Sequence, residues 1–258
     1  MPLVSVIVNC YNGEFFLREA IDSIINQSYQ NWELIFWDNK SSDMSKSIVK
    51  SYKDNRIKYF LATKHTKLYE ARKAALNKCN GRFISFLDVD DWWLPEKLSQ
   101  QIILFNNPKV GLVYSNYWMV NEINNTTKLA YNTELPTGKI LSNLLNKYNI
   151  GMLTMVIRKS AALELDHIFD NNYHIIGDYD LAIRMADKFE FECIQKPLAF
   201  CRWHGNNEQI HQLNTHINEL EDWSKKIKSY KTIYNNPKWK NIKWRILKLK
   251  IKNYLSIN

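Results

Sequence analysis

The chain has 258 residues, 45% hydrophobic and 24% charged, enough for one substantial core as a single α/β domain or a domain with an extension. No apolar run approaches the roughly eighteen residues of a membrane helix. Met1-Pro2-Leu3 lacks the basic start and apolar run of a secretory signal, and Cys10, Cys79, Cys193 and Cys201 form no CxxC pair, so four reduced thiols in a cytoplasmic protein are expected. The net charge of +9 is lopsided: residues 223–258 hold eleven Lys and Arg and no acid, which leaves the first 222 residues at −2.

In chain order, residues 3–9 (LVSVIVN) are a β-branched apolar run of the kind buried in a parallel sheet. Leu17, Ala20, Ile21 and Ile24 mark one face of a helix, with Asn12 near its start. A second strand follows at 32–38 (WELIFWD), and the polar turn 39–43 opens another helix. Residues 56–62 read as a third strand, and Leu68, Ala71, Ala75 and Cys79 as a helix by spacings of three and four. A fourth strand, 82–87 (RFISFL), ends on Asp88, Asp90 and Asp91, and Pro95 suits the first turn of the next helix. Repeated β-α-β units imply a mainly parallel sheet with helices on its faces, which binds ligands beyond the carboxyl ends of its strands. Asn9-Cys10, Asp38 and Asp88 should therefore converge on one edge.

Beyond this half the alternation weakens. Residues 110–120 read as a strand, 121–136 as a polar loop or hairpin, 137–148 as a helix and 152–157 as a short strand. A helix over 178–189, a last strand over 198–203 and largely helical chain over 206–235 follow, and Asn235-Asn236-Pro237 sets off the basic tail. Expected boundaries are 1–210 for the main domain, divided at 115/116, and 211–258 for a helical basic extension. Within the tail, Trp239, Trp244, Ile246 and Ile251 stand among the cations, which favours an anionic membrane surface over nucleic acid as partner. Its apolar positions fall into two arcs of a helix rather than one, so packing against the domain is the alternative.

Three carboxylates within four residues at a strand end repel one another unless screened by water or a cation. Hard oxygen donors on a short loop suit Mg²⁺ or Mn²⁺ shared with substrate phosphates. The plain alternative is a solvated turn with Asp91 capping the next helix. Only seven glycines occur and none makes GxGxxG or GxxxxGK, which argues against dinucleotide and P-loop chemistry.

The stretches SVIVNCYNG, WELIFWDNKSSD, ARKAALNKCNGRFISFLDVDDWWLPEKL, GDYDLAIRMA and LAFCRWHGNN, in that order between residues 2 and 207, resemble the family-2 glycosyltransferases. The resemblance implies the GT-A fold and inverting transfer of a sugar from a nucleotide diphosphate, typically of uridine, to a hydroxyl of a glycan or lipid-linked acceptor. It implies that Cys10 and Tyr11 border the base, that Asp38 accepts a hydrogen bond from it, that Arg72 lies near base and diphosphate, and that Asp88 lies beside the ribose. Asp90 and His204 would serve a Mn²⁺ or Mg²⁺ ion, and Asp178 would be the catalytic base, with Asp180 a backup candidate that more often has a structural role in the family. Such enzymes extend surface polysaccharides on lipid carriers, which fits a peripheral seat on the inner face of the membrane; acceptor choice should lie in residues 116–176.

Each residue also has an ordinary reading: Asp38 as a turn former, Arg72 on a helix surface, Asp178 as a helix cap, His204 in a loop. The chain departs from the family pattern at Cys10 (usually Thr), Lys40, Lys73, Ala75 and Gly177. The last replaces an acidic residue before the base and is the main support for a rival reading, a nucleotide-binding protein without turnover.

Overall fold

The computed structural model describes residues 1–204 and 212–257. Its first part runs β1 (Val4–Cys10), α1 (Leu17–Ile25), β2 (Trp32–Asp38), α2 (Ser45–Ser51), β3 (Ile57–Leu61), α3 (Leu68–Leu76) and β4 (Phe83–Phe86). These strands pair in parallel in the order β3-β2-β1-β4. Every residue of β1 is buried, because helices cover both faces of the sheet, and its sequence is accordingly an apolar run rather than an alternation. The register aligns Cys10 with Asp38 and Asp38 with Leu61, so three strands stop along one line. Leu87 donates its N–H to the Ile7 carbonyl (3.0 Å) and delivers residues 88–91 to the same edge.

The second part adds β5 (Trp92–Trp93), α4 (Lys97–Ile103), β6 (Val110–Asn121), β7 (Thr126–Leu129), α5 (Leu141–Asn146), β8 (Val156–Arg158), α6 (Lys159–Leu163), α7 (Gly177–Lys188) and β9 (Glu190–Trp203). The sheet continues β4-β8-β6-β9-β5, with β7 a hairpin on β6. Here only β6 and β9 run parallel, and the ladders β4/β8, β8/β6, β6/β7 and β9/β5 are antiparallel, so the whole sheet is mixed.

Local pairing overrides the sequence pattern at several places. The helix expected over 137–148 is confined to α5, because Gly138, at φ +80°, exchanges both backbone hydrogen bonds with Phe191 (2.7 and 2.8 Å). The strand expected over 152–157 begins as a 3₁₀ turn, Met152–Thr154, and becomes β8 only at Val156. The last strand is longer than 198–203: β9 starts at Glu190 and follows β6 through a register shift where Pro197, which has no N–H, lies opposite Asn116. Pro95 precedes α4 rather than lying in its first turn.

Among the described residues, the chain ends with the α-helices α8 (Leu213–Lys226), α9 (Lys231–Tyr234) and α10 (Lys240–Ile257). The part of the expected helical stretch at 206–211, and the boundary drawn at 210/211, lie outside the described residues. Leu220, Trp223, Ile233, Ile242 and Ile246 enter the core that also holds Leu144 of α5 and Leu181 of α7. Buried Glu219 of α8 accepts the N–H groups of His174, Ile175 and Ile176 (2.6, 2.9 and 3.1 Å), fixing the turn that leads into α7. The two apolar arcs of the tail have separate places: Trp239, Ile242 and Ile246 are buried, whereas Trp244, Leu247, Ile251, Tyr254 and Leu255 are exposed on the other side of α10. No helix among the described residues is long and apolar enough to cross a membrane.

Candidate functional site

The turn after β1 is stitched to the turn after β2. Asn12 adopts φ 53° and accepts the Ser42 N–H (2.8 Å), and Gly13 donates its N–H to Ser45 (3.1 Å). A Cβ at Gly13 would lie 2.9 Å from Val89, so glycine is what lets this turn approach the acidic loop. Cys10 points into the protein, with its sulfur 3.4 Å from Ser45 Oγ, and burial pushes the thiol up, which keeps it neutral. Tyr11 is half-exposed and its ring lies 4.2 Å from that of His65, making an aromatic pair at the strand ends.

Asp38 is buried and occupied: Oδ1 accepts the Ser41 N–H (2.7 Å) and Oδ2 accepts the Tyr59 hydroxyl (2.6 Å). It is thus a turn former as well as a candidate acceptor, and each carboxylate oxygen keeps a second lone pair. Lys40, one of the departures from the family pattern, takes a left-handed backbone at φ 71°.

Arg72 is not on a helix surface. It is buried on α3 and donates to Asp88 Oδ1 (2.5 Å); burial disfavours its charge and the Asp88 carboxylate more than restores it. Asp90 lies 3.1 Å from His204 Nε2. Burial, then the neighbouring Asp88 charge, raise the Asp90 carboxyl against the pull of His204. Asp91 does not cap α4. It is buried and accepts the Arg202 N–H (2.9 Å), while the Arg202 guanidinium donates to the Asp90 carbonyl (2.9 Å) and pairs with Glu19 and Glu122. The acidic loop is therefore clamped to Arg202 of β9, which in turn ties it to α1 and to the residue after β6.

Asp178 stands at the start of α7, and no side chain caps that helix at Ile176. Its carboxylate lies between two phenols: Tyr69 donates to Oδ1 and Tyr148 to Oδ2, both at 3.3 Å, and the Asp178 N–H donates to Tyr69 (3.0 Å). Burial raises the pKa of both phenols far above the ordinary value, so they stay protonated donors. Burial also raises the Asp178 carboxyl, against the pull of the Tyr179 N–H and of Arg72. A Cβ at Gly177 would come within 2.6 Å of the Tyr69 ring, so the departure at Gly177 makes room for the phenol that holds the neighbouring carboxylate. Asp180 is structural: it is buried, ion-paired with Arg184 (2.5 Å) and bonded to the Trp223 indole N–H (3.0 Å).

One cavity of about 290 Å³ has Asp88, Asp178, Tyr148, Tyr179, His216 and Arg245 among its walls; Arg72, Asp90 and His204 are not walls of it but lie beside Asp88 in the chain or in contact with it or its loop. Asp38 lies on the same edge, beyond β1, and is not a wall of this cavity. Tyr69, Tyr148, His65, His216 and Arg245 carry no motif signal; they lie on loops and helices whose approach to the strand ends is set by tertiary packing.

Among the described residues no three His, Cys, Asp or Glu side chains form a complete ligand set. The donor chemistry still fits a hard divalent cation that takes several of its oxygens from phosphates and water: Asp90 offers a carboxylate, His204 an imidazole nitrogen beside it, and Asp88 a part-exposed carboxylate.

The family model for glycosyl transferase family 2 matches residues 5–165. The chain is 36% identical over 159 residues to the Escherichia coli UDP-Glc:alpha-D-GlcNAc-diphosphoundecaprenol beta-1,3-glucosyltransferase WfgD, covering 61% of this chain and 61% of that one. It therefore spans about three fifths of that relative's length. To WfaP of Escherichia coli, which carries the same activity name, it is 33% identical over 73% of this chain and 72% of that one. Its structure is similar to that of the mannosyltransferase PcManGT from Pyrobaculum calidifontis in complex with GDP-Man and Mn²⁺, with a TM-score of 0.68 at 17% identity over 88% of this chain and 64% of that one. The expected GT-A fold is the fold observed, but the sheet expected to be mainly parallel is mixed, because β8, β7 and β5 pair antiparallel with their neighbours.

Proposed function

Because the chain belongs to glycosyl transferase family 2, we propose that it transfers a sugar from a uridine diphosphate donor to a hydroxyl of a lipid-linked glycan, with inversion and with help from a divalent cation. The observation that carries the proposal is the single cavity walled by both Asp88 and Asp178, residues far apart in sequence. In the reaction the acceptor oxygen attacks the anomeric carbon, the bond from that carbon to the diphosphate oxygen breaks, and UDP departs with the bonding electrons. The acceptor proton passes to Asp178, whose raised pKa makes it a better acceptor than an exposed carboxylate. Tyr69 and Tyr148 hold that carboxylate in place. Tyr11 and His65 offer an aromatic surface for the base, and Arg72 orients Asp88 toward the ribose. Asp90, with His204, would hold Mn²⁺ or Mg²⁺, which supplies Lewis-acid stabilisation of the departing diphosphate. A panel of nucleotide sugars tests this reading: a UDP-sugar should raise Tm and be slowly hydrolysed only when Mn²⁺ or Mg²⁺ is present. Failure of every nucleotide sugar to do either would sink it.

The same proposal seats the protein on the inner face of the membrane. Trp244, Leu247, Ile251, Tyr254 and Leu255 expose an apolar stripe on α10, with Lys240, Lys243 and Lys248 exposed near it, a pattern complementary to anionic lipid. The chain should sediment with phosphatidylglycerol vesicles and not with phosphatidylcholine alone, and Leu247→Ser with Ile251→Ser should release it. Equal sedimentation of that variant would exclude the stripe.

A further inference from the structure

A basic cleft adjoins the reaction cavity. Between α5 and α10 lies a cavity of about 670 Å³ whose walls include Lys147, Tyr148, Trp244, Arg245 and Lys248. Tyr148 and Arg245 are walls of this cleft and of the cavity that holds Asp178, so the two spaces adjoin. Three cations line the cleft and, among the described residues, no carboxylate does. Grouped cations without a counter-charge favour an anionic occupant.

Arg245 is half-buried, with its guanidinium 5.0 Å from the Tyr179 ring centroid, which limits the orientations of its planar donors. His216, across the junction, has its pKa lowered to about 4 by burial and by Arg245. It is neutral at physiological pH, so Arg245 supplies the charge there. At the other end Trp244, 63% exposed, belongs both to the cleft and to the apolar stripe that continues through Leu247 and Ile251. An occupant must thus be anionic in the cleft, apolar beyond it, and near enough to reach Asp178 past Tyr148.

We propose that this cleft holds the diphosphate of a lipid-linked acceptor. Lys147, Arg245 and Lys248 bind the phosphate oxygens, the lipid leaves over Trp244 along α10, and the attached sugar brings its hydroxyl to Asp178. Tyr148 touches Asp178 and also walls the cleft, so the reacting sugar lies at or next to the diphosphate, and the acceptor glycan is short. This assignment rests on the glycosyl-transfer reading, with the donor diphosphate at the Asp88–Asp90 loop and the acceptor diphosphate here.

Calorimetric titration of the full chain tests it, with farnesyl diphosphate as probe after saturation with UDP and Mn²⁺, and with inorganic pyrophosphate and farnesol as separate arms. Farnesyl diphosphate should bind more tightly than pyrophosphate, and farnesol should not bind. The Lys147→Gln/Lys248→Gln double variant should weaken farnesyl diphosphate about tenfold or more and leave UDP affinity unchanged, and Arg245→Gln should separately weaken farnesyl diphosphate by a similar factor. Unchanged affinity for farnesyl diphosphate in both variants overturns the assignment, as does pyrophosphate binding as tightly as the prenyl compound. The preceding UDP titration reads the donor site by itself: a wild-type chain that fails to bind UDP removes the transfer reading, and this assignment with it.

Discussion

Asp178→Asn is expected to lower turnover by a factor of about 10²–10⁴ while leaving metal-dependent UDP affinity unchanged. Asparagine keeps the shape of the side chain and an oxygen for one phenol, but its amide cannot accept the acceptor proton. Steady-state transfer assays and UDP titration on the same preparation separate loss of chemistry from loss of fold. The pH profile adds a second readout. Asp178 works only as a carboxylate, so kcat/KM should hold at higher pH and be lost as pH falls through the Asp178 pKa, which burial places above the ordinary carboxylate value. In Tyr69→Phe or Tyr148→Phe, removal of one donor to the ionised form should move that acid limb to higher pH. Near-wild-type turnover in Asp178→Asn would put the base elsewhere, and Asp180, locked between Arg184 and Trp223, is not free to replace it.

Asp90→Ala should abolish the dependence of UDP affinity on Mn²⁺. Among the described residues no three His, Cys, Asp or Glu side chains form a ligand set, and a carboxylate lost from a site of one or two protein ligands has no ready substitute. The expected titration has two parts: wild-type affinity that rises with Mn²⁺, and variant affinity that is weak with or without it. Asp91→Ala should behave differently, lowering stability by loosening β9, because Asp91 is spent on the Arg202 backbone. A Mn²⁺ response retained in Asp90→Ala would remove the metal role from that residue.

The nucleotide half was legible because its signals are local. Buried parallel strands are apolar runs, so residues 3–9, 32–38 and 82–87 stand out, and their ends bring Cys10, Asp38 and Asp88 to one edge by register alone. Gly177, the departure that most encouraged a reading without turnover, could not be interpreted from the chain because its cause is a ring more than a hundred residues earlier in sequence, on α3. Tyr148 follows a helix that backbone pairing to β9 shortens, and no periodicity records that pairing. The tail's two apolar arcs were visible as a pattern, but which one is buried depends on the core that Trp239, Ile242 and Ile246 enter.

The most direct test is a crystal structure with UDP and Mn²⁺, read at the manganese anomalous edge. One anomalous peak is expected in ligand contact with Asp90, with the β-phosphate turned toward the cavity that holds Asp178. A peak remote from Asp90, or UDP bound on a surface that Asp88 and Asp178 do not share, would contradict that expectation.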